Sequence, residues 1–148
     1  MNFIESVRDG FARCFDFYGR SSRKQFWFFY LFHELATTIS LFIDRIFNLT
    51  LYKIPVGEIN LETISILIGP TLIFTFFLTL IPFFAVKVRR FHDIGKSGMW
   101  VLAQYLLIAL TFFLPLFSPI LTMLTLYLII FWCFKGEEQR NIYGDTTS

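Results

Sequence analysis

The chain has 148 residues, of which 55% are hydrophobic, 20% are aromatic and only 16% are charged. A soluble domain of this length needs a larger charged shell to cover its core, so the composition excludes an ordinary soluble protein. The net charge of +2 at pH 7 gives no indication of nucleic-acid binding. Most of the surface is therefore expected to face lipid.

Residues 3–19 repeat apolar side chains at helical spacing, with charged residues on the other side. The apolar set is Phe3, Val7, Phe11 and Phe15. This pattern predicts an amphipathic helix that lies at a membrane interface. The same periodicity also fits an ordinary helix packed on the rest of the protein, and both interpretations stay open here.

Four apolar segments follow, and each is predicted to cross the membrane. About 20 residues at 1.5 Å each cover a hydrocarbon core of about 30 Å. The predicted spans are about 25–43, 63–86, 98–114 and 119–134, followed by a tail at 135–148. Pro115 and Pro119 favour a tight turn within an apolar stretch too long for one crossing. The sequence thus predicts an all-α integral membrane protein with four transmembrane helices in a single domain, 1–148; a three-span arrangement is the alternative.

The positions of the basic residues predict the orientation of the chain. Eleven of the thirteen lie before the first span, between the second and third spans, or in the tail. Because basic loops stay in the cytoplasm, both termini are predicted to be cytoplasmic. Near the predicted cytoplasmic ends of the spans lie Trp27, Trp100 and Trp132, which are expected to anchor these ends at the membrane interface. Cys14 and Cys133 are predicted to be reduced, and no cleavable signal peptide is apparent.

The stretch KVRRFHDIGKSGMW, residues 87–100, lies between the second and third predicted spans. With two earlier arginines it predicts a cytoplasmic basic face that binds anionic lipid headgroups or a partner protein. This face consists of Arg20, Arg23, Arg89, Arg90 and Lys96, and the neighbouring His92 and Asp93 are expected to belong to the same binding site. Pairing of the central arginines with Asp9 and Asp16 is a further expectation. The alternative is that these charges only fix the orientation of the protein.

His92 and Asp93 are adjacent, an arrangement that also occurs at metal and acid–base sites. The chain has only two histidines, too few for a histidine-rich metal site, so neither a metal nor another cofactor is predicted. Asp93 is expected to act at a turn or helix cap, with Gly95 and Gly98 allowing a tight backbone. Common nucleophile and nucleotide-binding motifs are absent, so no catalytic residue is predicted.

His33 and Glu34 lie near the middle of the first predicted span, where ionisable side chains are costly and usually face the interior of a helix bundle. Thr75 lies at a similar depth in the second span, and Gln104 is expected to approach from the third. One interpretation is a hydrogen-bonded helix contact; the other is a proton or ion path in a small transporter. The phenylalanine-rich surfaces also leave a homo-oligomer or a membrane protein partner open.

Three segments together resemble a known family: FYGRSSRKQFWFFYLF, VRRFHDIGKSGMWVL and EEQRNIYGD. On these motifs the chain is identified as a member of the domain of unknown function 805 family, small bacterial inner-membrane proteins. The matching residues of the central motif are Arg90, His92, Asp93, Gly95, Lys96, Ser97, Gly98 and Trp100. Met99 departs from the family, where an aromatic residue is expected. The resemblance implies a location in the inner, or plasma, membrane and no established activity.

Overall fold

A computed structural model of the chain describes residues 1–55 and 65–147. In these ranges it contains five α-helices, a 3₁₀ turn at Pro115–Phe117 and two short strands. The elements in chain order are α1 (Phe3–Ala12), α2 (Arg23–Ile46), β1 (Tyr52–Pro55), β2 (Ser65–Ile68), α3 (Pro70–Asp93), α4 (Met99–Phe113) and α5 (Ser118–Cys133). The fold is helical, as predicted, with a short antiparallel strand pair between α2 and α3.

Helices α2 and α3 are long and apolar enough to cross a membrane. Each has 24 residues, which corresponds to about 36 Å. Helices α4 and α5 are also apolar but have only 15 and 16 residues, or about 23 Å each. The predicted break between them is confirmed, because α4 ends at Phe113 and α5 begins at Ser118.

Helix α3 differs from the predicted span 63–86 at both ends. It begins later because Ser65–Ile68 forms β2, paired with β1, and because Pro70 occupies the first helical position, which proline favours. Residues 63–64 of that predicted span lie outside the described residues. The helix also ends later, since it continues through the charged segment to Asp93. Most of the predicted central loop is therefore the last two turns of α3.

Helix α1 ends at Ala12, well before the predicted end at residue 19. The chain leaves the helix because the carbonyl oxygens of Arg13 and Asp16 accept hydrogen bonds from Arg89. These carbonyls are thus directed to a side chain of α3. The sequence of this segment gives no sign of a partner so distant in the chain.

One face of α1 packs on the first turns of α2. Phe3 contacts Phe28 and Phe11 contacts Phe29, with ring centroids 6.0 Å and 5.7 Å apart. Gly10 lies between these contacts, where an added Cβ would come within 2.2 Å of the Phe29 ring. The apolar periodicity of α1 thus corresponds to a contact with α2 at these two phenylalanines.

The described chain divides into two compact units. The first unit combines Met1–Phe29 with Pro82–Ser148, and the second unit is Tyr30–Ile81. The buried apolar residues of the first unit include Phe26, Phe29, Phe91, Val101, Leu128 and Trp132. Trp132 is only 1% exposed, so it is a core residue and not the interfacial anchor that the sequence predicted. Trp100, in contrast, is 47% exposed.

Candidate functional site

Asp93, the last residue of α3, lies at the centre of a buried polar cluster in the first unit. Its Oδ1 accepts a hydrogen bond from Arg20 Nε at 3.0 Å and another from the Thr147 hydroxyl at 2.8 Å. Its Oδ2 accepts from Arg90. Two guanidinium groups therefore surround one carboxylate, which offsets the cost of removing these charges from water.

Arg20 and Arg90 also hold the C-terminal tail against the end of α3. Each guanidinium donates to Asp93 and, in addition, to backbone carbonyl oxygens of the tail or of the last turn of α5. The acceptors are Glu137 and Gln139 for Arg20, and Trp132 and Phe134 for Arg90. Gly136 is required by this approach, since an added Cβ would lie 2.1 Å from Asp93 Oδ2. We name this set of residues, with Thr147, the tail clasp.

His92 contributes to the same attachment through its ring. The imidazole stacks on Tyr143 with parallel planes and a centroid distance of 3.7 Å. Its Nδ1 lies 3.2 Å from the carbonyl oxygen of Tyr18, and the Asn141 side chain donates to the His92 carbonyl at 2.9 Å. Among residues 1–55 and 65–147, no group of three or more His, Cys, Asp and Glu side chains is arranged to hold a metal ion. His92 and Asp93 therefore have separate structural contacts.

Arg89 points away from the tail clasp and holds the connection between α1 and α2. Its Nε donates to the Ser21 hydroxyl at 3.1 Å, and its Nη1 donates to the Arg13 and Asp16 carbonyls. The expected pairing of Arg89 or Arg90 with the carboxylates of Asp9 and Asp16 is not observed. Arg13 forms ion pairs with both carboxylates instead, at 3.8 Å to Asp9 and 2.6 Å to Asp16.

In the segment between α1 and α2, the surrounding charges and hydrogen bonds favour the ionised form of Asp16. Burial alone would raise the pKa of the Asp16 carboxyl group, but hydrogen bonds from Arg13 and from the Tyr18 and Gly19 amides hold the pKa below its usual value. The aspartate is thus negatively charged at neutral pH, and it neutralises Arg13 next to the buried Arg89.

The predicted turn at the end of α3 is confirmed at Gly95. This residue has a φ of +69°, in the left-handed region that favours glycine. The Lys96 amide then donates back to the Phe91 carbonyl at 2.9 Å, which closes the helix end. Beyond it, Lys96 is exposed at the edge of an aromatic cavity of about 100 Å³.

Three of the five residues predicted to form a basic face are buried. Arg20 is 5% exposed, and Arg89 and Arg90 are fully buried. They cannot form the exposed surface that the sequence suggested, because they are buried and most of their donors bind the protein itself. Arg23 and Lys96 are exposed but line different cavities. The clustered arginines thus mainly hold segments of the protein together and do not form an exposed ligand-binding surface.

Two cavities border the tail clasp and differ in charge. The first has a volume of about 470 Å³ and is lined by Met1, Asp9, Arg13, Arg20, Ser22, Lys24, Gln25 and Thr147. The second has a volume of about 440 Å³ and is lined by Ser22, Arg23, Asp93, Lys135, Gly136, Glu137, Glu138, Thr146 and Thr147. Basic side chains outnumber acidic ones in the first cavity, whereas the reverse holds in the second.

Lys24 is the basic side chain of the first cavity that is available to a ligand. It is exposed, and its ammonium lies 5.8 Å from the centre of the Phe28 ring. Within the described ranges the ammonium forms no hydrogen bond or ion pair. Arg13 and Arg20, in contrast, already bind aspartates.

In the second unit, polar side chains join α2 and α3 at three levels. His33 Nδ1 lies 3.0 Å from the Thr79 hydroxyl, and the Ser40 hydroxyl lies 2.6 Å from the Thr75 hydroxyl. Further along, Asp44 accepts the backbone amides at the start of α3. Of the residues predicted to meet near the membrane centre, His33 and Thr75 thus contact the neighbouring helix, in separate pairs.

Glu34 and Gln104 do not join these contacts. Glu34 is exposed, whereas His33 is half-buried. Because the side chains of adjacent helical residues point in different directions, the two do not form one site. Gln104 belongs to the first unit, where it donates to the Thr125 hydroxyl at 3.1 Å. No observation in the described residues favours the predicted proton or ion path over the helix contact.

Sequence reasoning missed several residues of these clusters. Tyr143 and Asn141 lie in the tail motif EEQRNIYGD, which marked the family resemblance but carried no assigned role. The charge pattern places Lys87 in a basic loop, whereas in the structure it is 7% exposed and its ammonium lies 4.2 Å from the centre of the Phe83 ring. The tail motif was the one available signal for the clasp.

Comparisons with known proteins agree with the motifs. The family described as "Protein of unknown function (DUF805)" matches residues 14–145. The Inner membrane protein YhaI of Escherichia coli strain K12 is 30% identical over 130 residues, covering 87% of this chain and 83% of the relative. Inner membrane protein YhaH of the same strain is 28% identical over 128 residues, covering 86% and 84%. No solved structure matches the chain.

Proposed function

We propose that this chain, which belongs to the DUF805 family, is an inner-membrane module that binds the headgroup of an anionic phospholipid. The binding site is the 470 Å³ cavity, which we name the headgroup cavity. The observation that carries the proposal is Lys24, an exposed and unneutralised ammonium in a cavity where basic residues outnumber acidic ones. A lipid phosphate supplies the missing counter-charge.

The depth of the cavity favours a lipid over a soluble anion. Lys24 is the second residue of α2, a helix of 24 residues. A helix of that length, about 36 Å, exceeds the hydrocarbon core of about 30 Å, so its first turn lies at the headgroup level. A lipid phosphate therefore comes to the same height as Lys24 without leaving the bilayer.

The tail clasp gives this cavity a fixed wall. Arg20 and Thr147 line the cavity and are held by Asp93 from behind. Ser22 adds a hydroxyl group at the entrance to α2. Since a rigid wall lowers the entropic cost of ordering a ligand, we assign the buried arginines a positioning role and Lys24 the role of direct phosphate ligand.

The proposal includes four membrane spans with both termini in the cytoplasm. It is supported by the distribution of basic residues and by the contact of Arg20 with the backbone of Gln139. Segments in contact lie on one side of a membrane, so an even number of crossings separates them.

The test is a titration of the purified protein in a mild detergent. Short-chain phosphatidylglycerol is compared with phosphatidylcholine of the same chain length and with inorganic phosphate. Phosphatidylglycerol is expected to bind best, and Lys24→Gln is expected to weaken it about fivefold, since one basic residue near anionic lipid contributes about 1 kcal/mol.

Lys135→Gln is the matched control. Lys135 is also an exposed lysine, but it pairs with Glu138 and lines the other cavity. Equal loss of binding in both variants would contradict a defined site. Binding of inorganic phosphate as tightly as the lipid would overturn the lipid assignment, and equal binding of phosphatidylcholine would overturn the role of charge.

A further inference from the structure

Glu34 lies at the midpoint of α2 and is exposed on its surface. It follows Arg23 by 11 residues in a helix that ends at Ile46, so it lies about 17 Å from one end and about 18 Å from the other. A carboxylate at the centre of a bilayer costs about 3 kcal/mol when it faces hydrocarbon. Tyr30, one turn earlier, hydrogen-bonds to Glu34 from the same helix. One phenolic hydroxyl leaves further acceptor sites of the carboxyl group facing lipid.

Thr38 adds a second unusual polar group to the same face. In α2, Thr37 and Ser40 donate their hydroxyl groups to the carbonyls one turn earlier, each at 2.8 Å. This bond is the usual way for a hydroxyl to be satisfied within a membrane helix. Thr38 is exposed, and across the described residues its hydroxyl has no such partner. It lies one turn after Glu34 and is available to a group outside the chain.

The apolar residues around these side chains form one continuous exposed strip. Leu31 and Leu35 are each 48% exposed, Ile39 is 56% exposed and Phe42 is 61% exposed. Together with Glu34 and Thr38, they recur at steps of three and four residues along α2. This spacing is the one through which two helices pack side by side. We name the six residues with Tyr30 the α2 outer face.

We propose that the α2 outer face binds the same face of a second copy of this chain. Copies inserted by the same route lie parallel in the membrane, so Glu34 meets Glu34 of the partner subunit at equal depth. A carboxyl group can both donate and accept a hydrogen bond, so the two facing side chains can be joined by an O–H···O hydrogen bond. Tyr30 and Thr38 supply further donors and acceptors on both sides, so the face is self-complementary.

A foreign helix would have to supply a matching donor at the same depth. The second copy supplies it by symmetry, and a two-fold axis brings the same patch of both copies together. The inference is independent of the headgroup cavity, because the two use different units of the chain and no residue in common.

The first test is disulfide crosslinking in native membranes. Starting from the full chain with Cys14→Ser and Cys133→Ser, Leu35→Cys is compared with Phe77→Cys, a similarly exposed position on α3. Leu35→Cys is expected to give a species of twice the 17.5 kDa chain mass, and Phe77→Cys is expected to give little. A crosslink of Leu35→Cys only to another protein would overturn the homodimer.

The second test measures the oligomeric state of purified protein in lipid nanodiscs or mild detergent. Glu34→Gln keeps hydrogen-bonding groups and should keep the dimer. Glu34→Leu should raise the dimer dissociation constant about tenfold, in line with interhelical hydrogen bonds of about 1–2 kcal/mol. Because leucine suits a lipid-exposed position, Glu34→Leu should still fold. A monomeric wild type, or a dimer that Glu34→Leu does not weaken, would overturn the proposal.

Discussion

At the scale of single residues, Asp93 combines three interactions at a buried position. It is 1% exposed and binds Arg20, Arg90 and Thr147. Removing its charge leaves two buried guanidinium groups without a carboxylate. We therefore expect Asp93→Asn to lower the free energy of unfolding by about 3–5 kcal/mol, measured by denaturant titration in detergent.

A surface aspartate provides the control for this substitution. Asp145 lies near Arg140, with both side chains at least 80% exposed. Such pairs contribute at most about 1 kcal/mol, so Asp145→Asn should leave stability almost unchanged. Equal stability losses in the two variants would show that the tail clasp is not a structural centre.

The sequence could identify the residues of the clasp but not their environment. Arg20, Arg90 and Asp93 stood out by charge and by the family motif. Their burial was not predictable, because Arg20 and Asp93 are 73 residues apart and the remaining acceptors are backbone carbonyls. A carbonyl group carries no sequence signal. A cluster of arginines beside a membrane span therefore looks the same in sequence whether it binds lipid or the protein itself.

At the scale of elements, the start of α3 depends on a side chain from α2. Asp44 is fully buried and accepts the Thr71 and Leu72 amides at 3.2 Å and 2.9 Å. These amides belong to the first turn, which has no acceptors within its own helix. Asp44→Leu should cost about 1–2 kcal/mol and speed amide exchange at the start of α3. Hydrogen exchange followed by mass spectrometry measures this change.

Asp44→Asn is the companion variant. Its amide oxygen still accepts one hydrogen bond, so exchange in residues 69–75 should fall between the wild type and Asp44→Leu. If neither variant changed exchange there, Asp44 would not be the cap of α3.

Element types were more predictable from the sequence than element ends. The length of the apolar runs predicted α2 and α3, and Pro115 predicted the break before α5. The start of α3 was missed because the apolar residues 65–68 fit a short strand as well as a helix. Its end was missed because the charges after Val86 indicated solvent, whereas Arg89 and Arg90 find partners inside the protein.

At the scale of the whole molecule, whether the number of membrane crossings is even or odd follows from which segments share a side. Arg20 precedes α2 and binds the tail, which predicts that the chain before α2 and the tail lie on the same side of the membrane. The distribution of basic residues predicts that this side is the cytoplasm. In a chain with Cys14→Ser and Cys133→Ser, we expect Leu49→Cys, just after α2, to react with an impermeant thiol reagent in cells with a permeabilised outer membrane. Arg140→Cys should react only after lysis.

Leu49 and Arg140 are both exposed in the structure, so a difference in labelling reports the side of the membrane. Labelling of both before lysis would place the tail outside and favour three spans. The family and its relatives establish the inner membrane, whereas this experiment decides whether the chain crosses it an even or an odd number of times.

Native mass spectrometry of the purified protein reads out lipid binding in the headgroup cavity. The wild type, Lys24→Gln and Lys135→Gln are compared for the lipids retained after extraction in a mild detergent. We predict an anionic phospholipid on the wild type and on Lys135→Gln, and a clearly smaller retained fraction of that lipid on Lys24→Gln. The same retained lipid on all three proteins would contradict the headgroup cavity as its binding site.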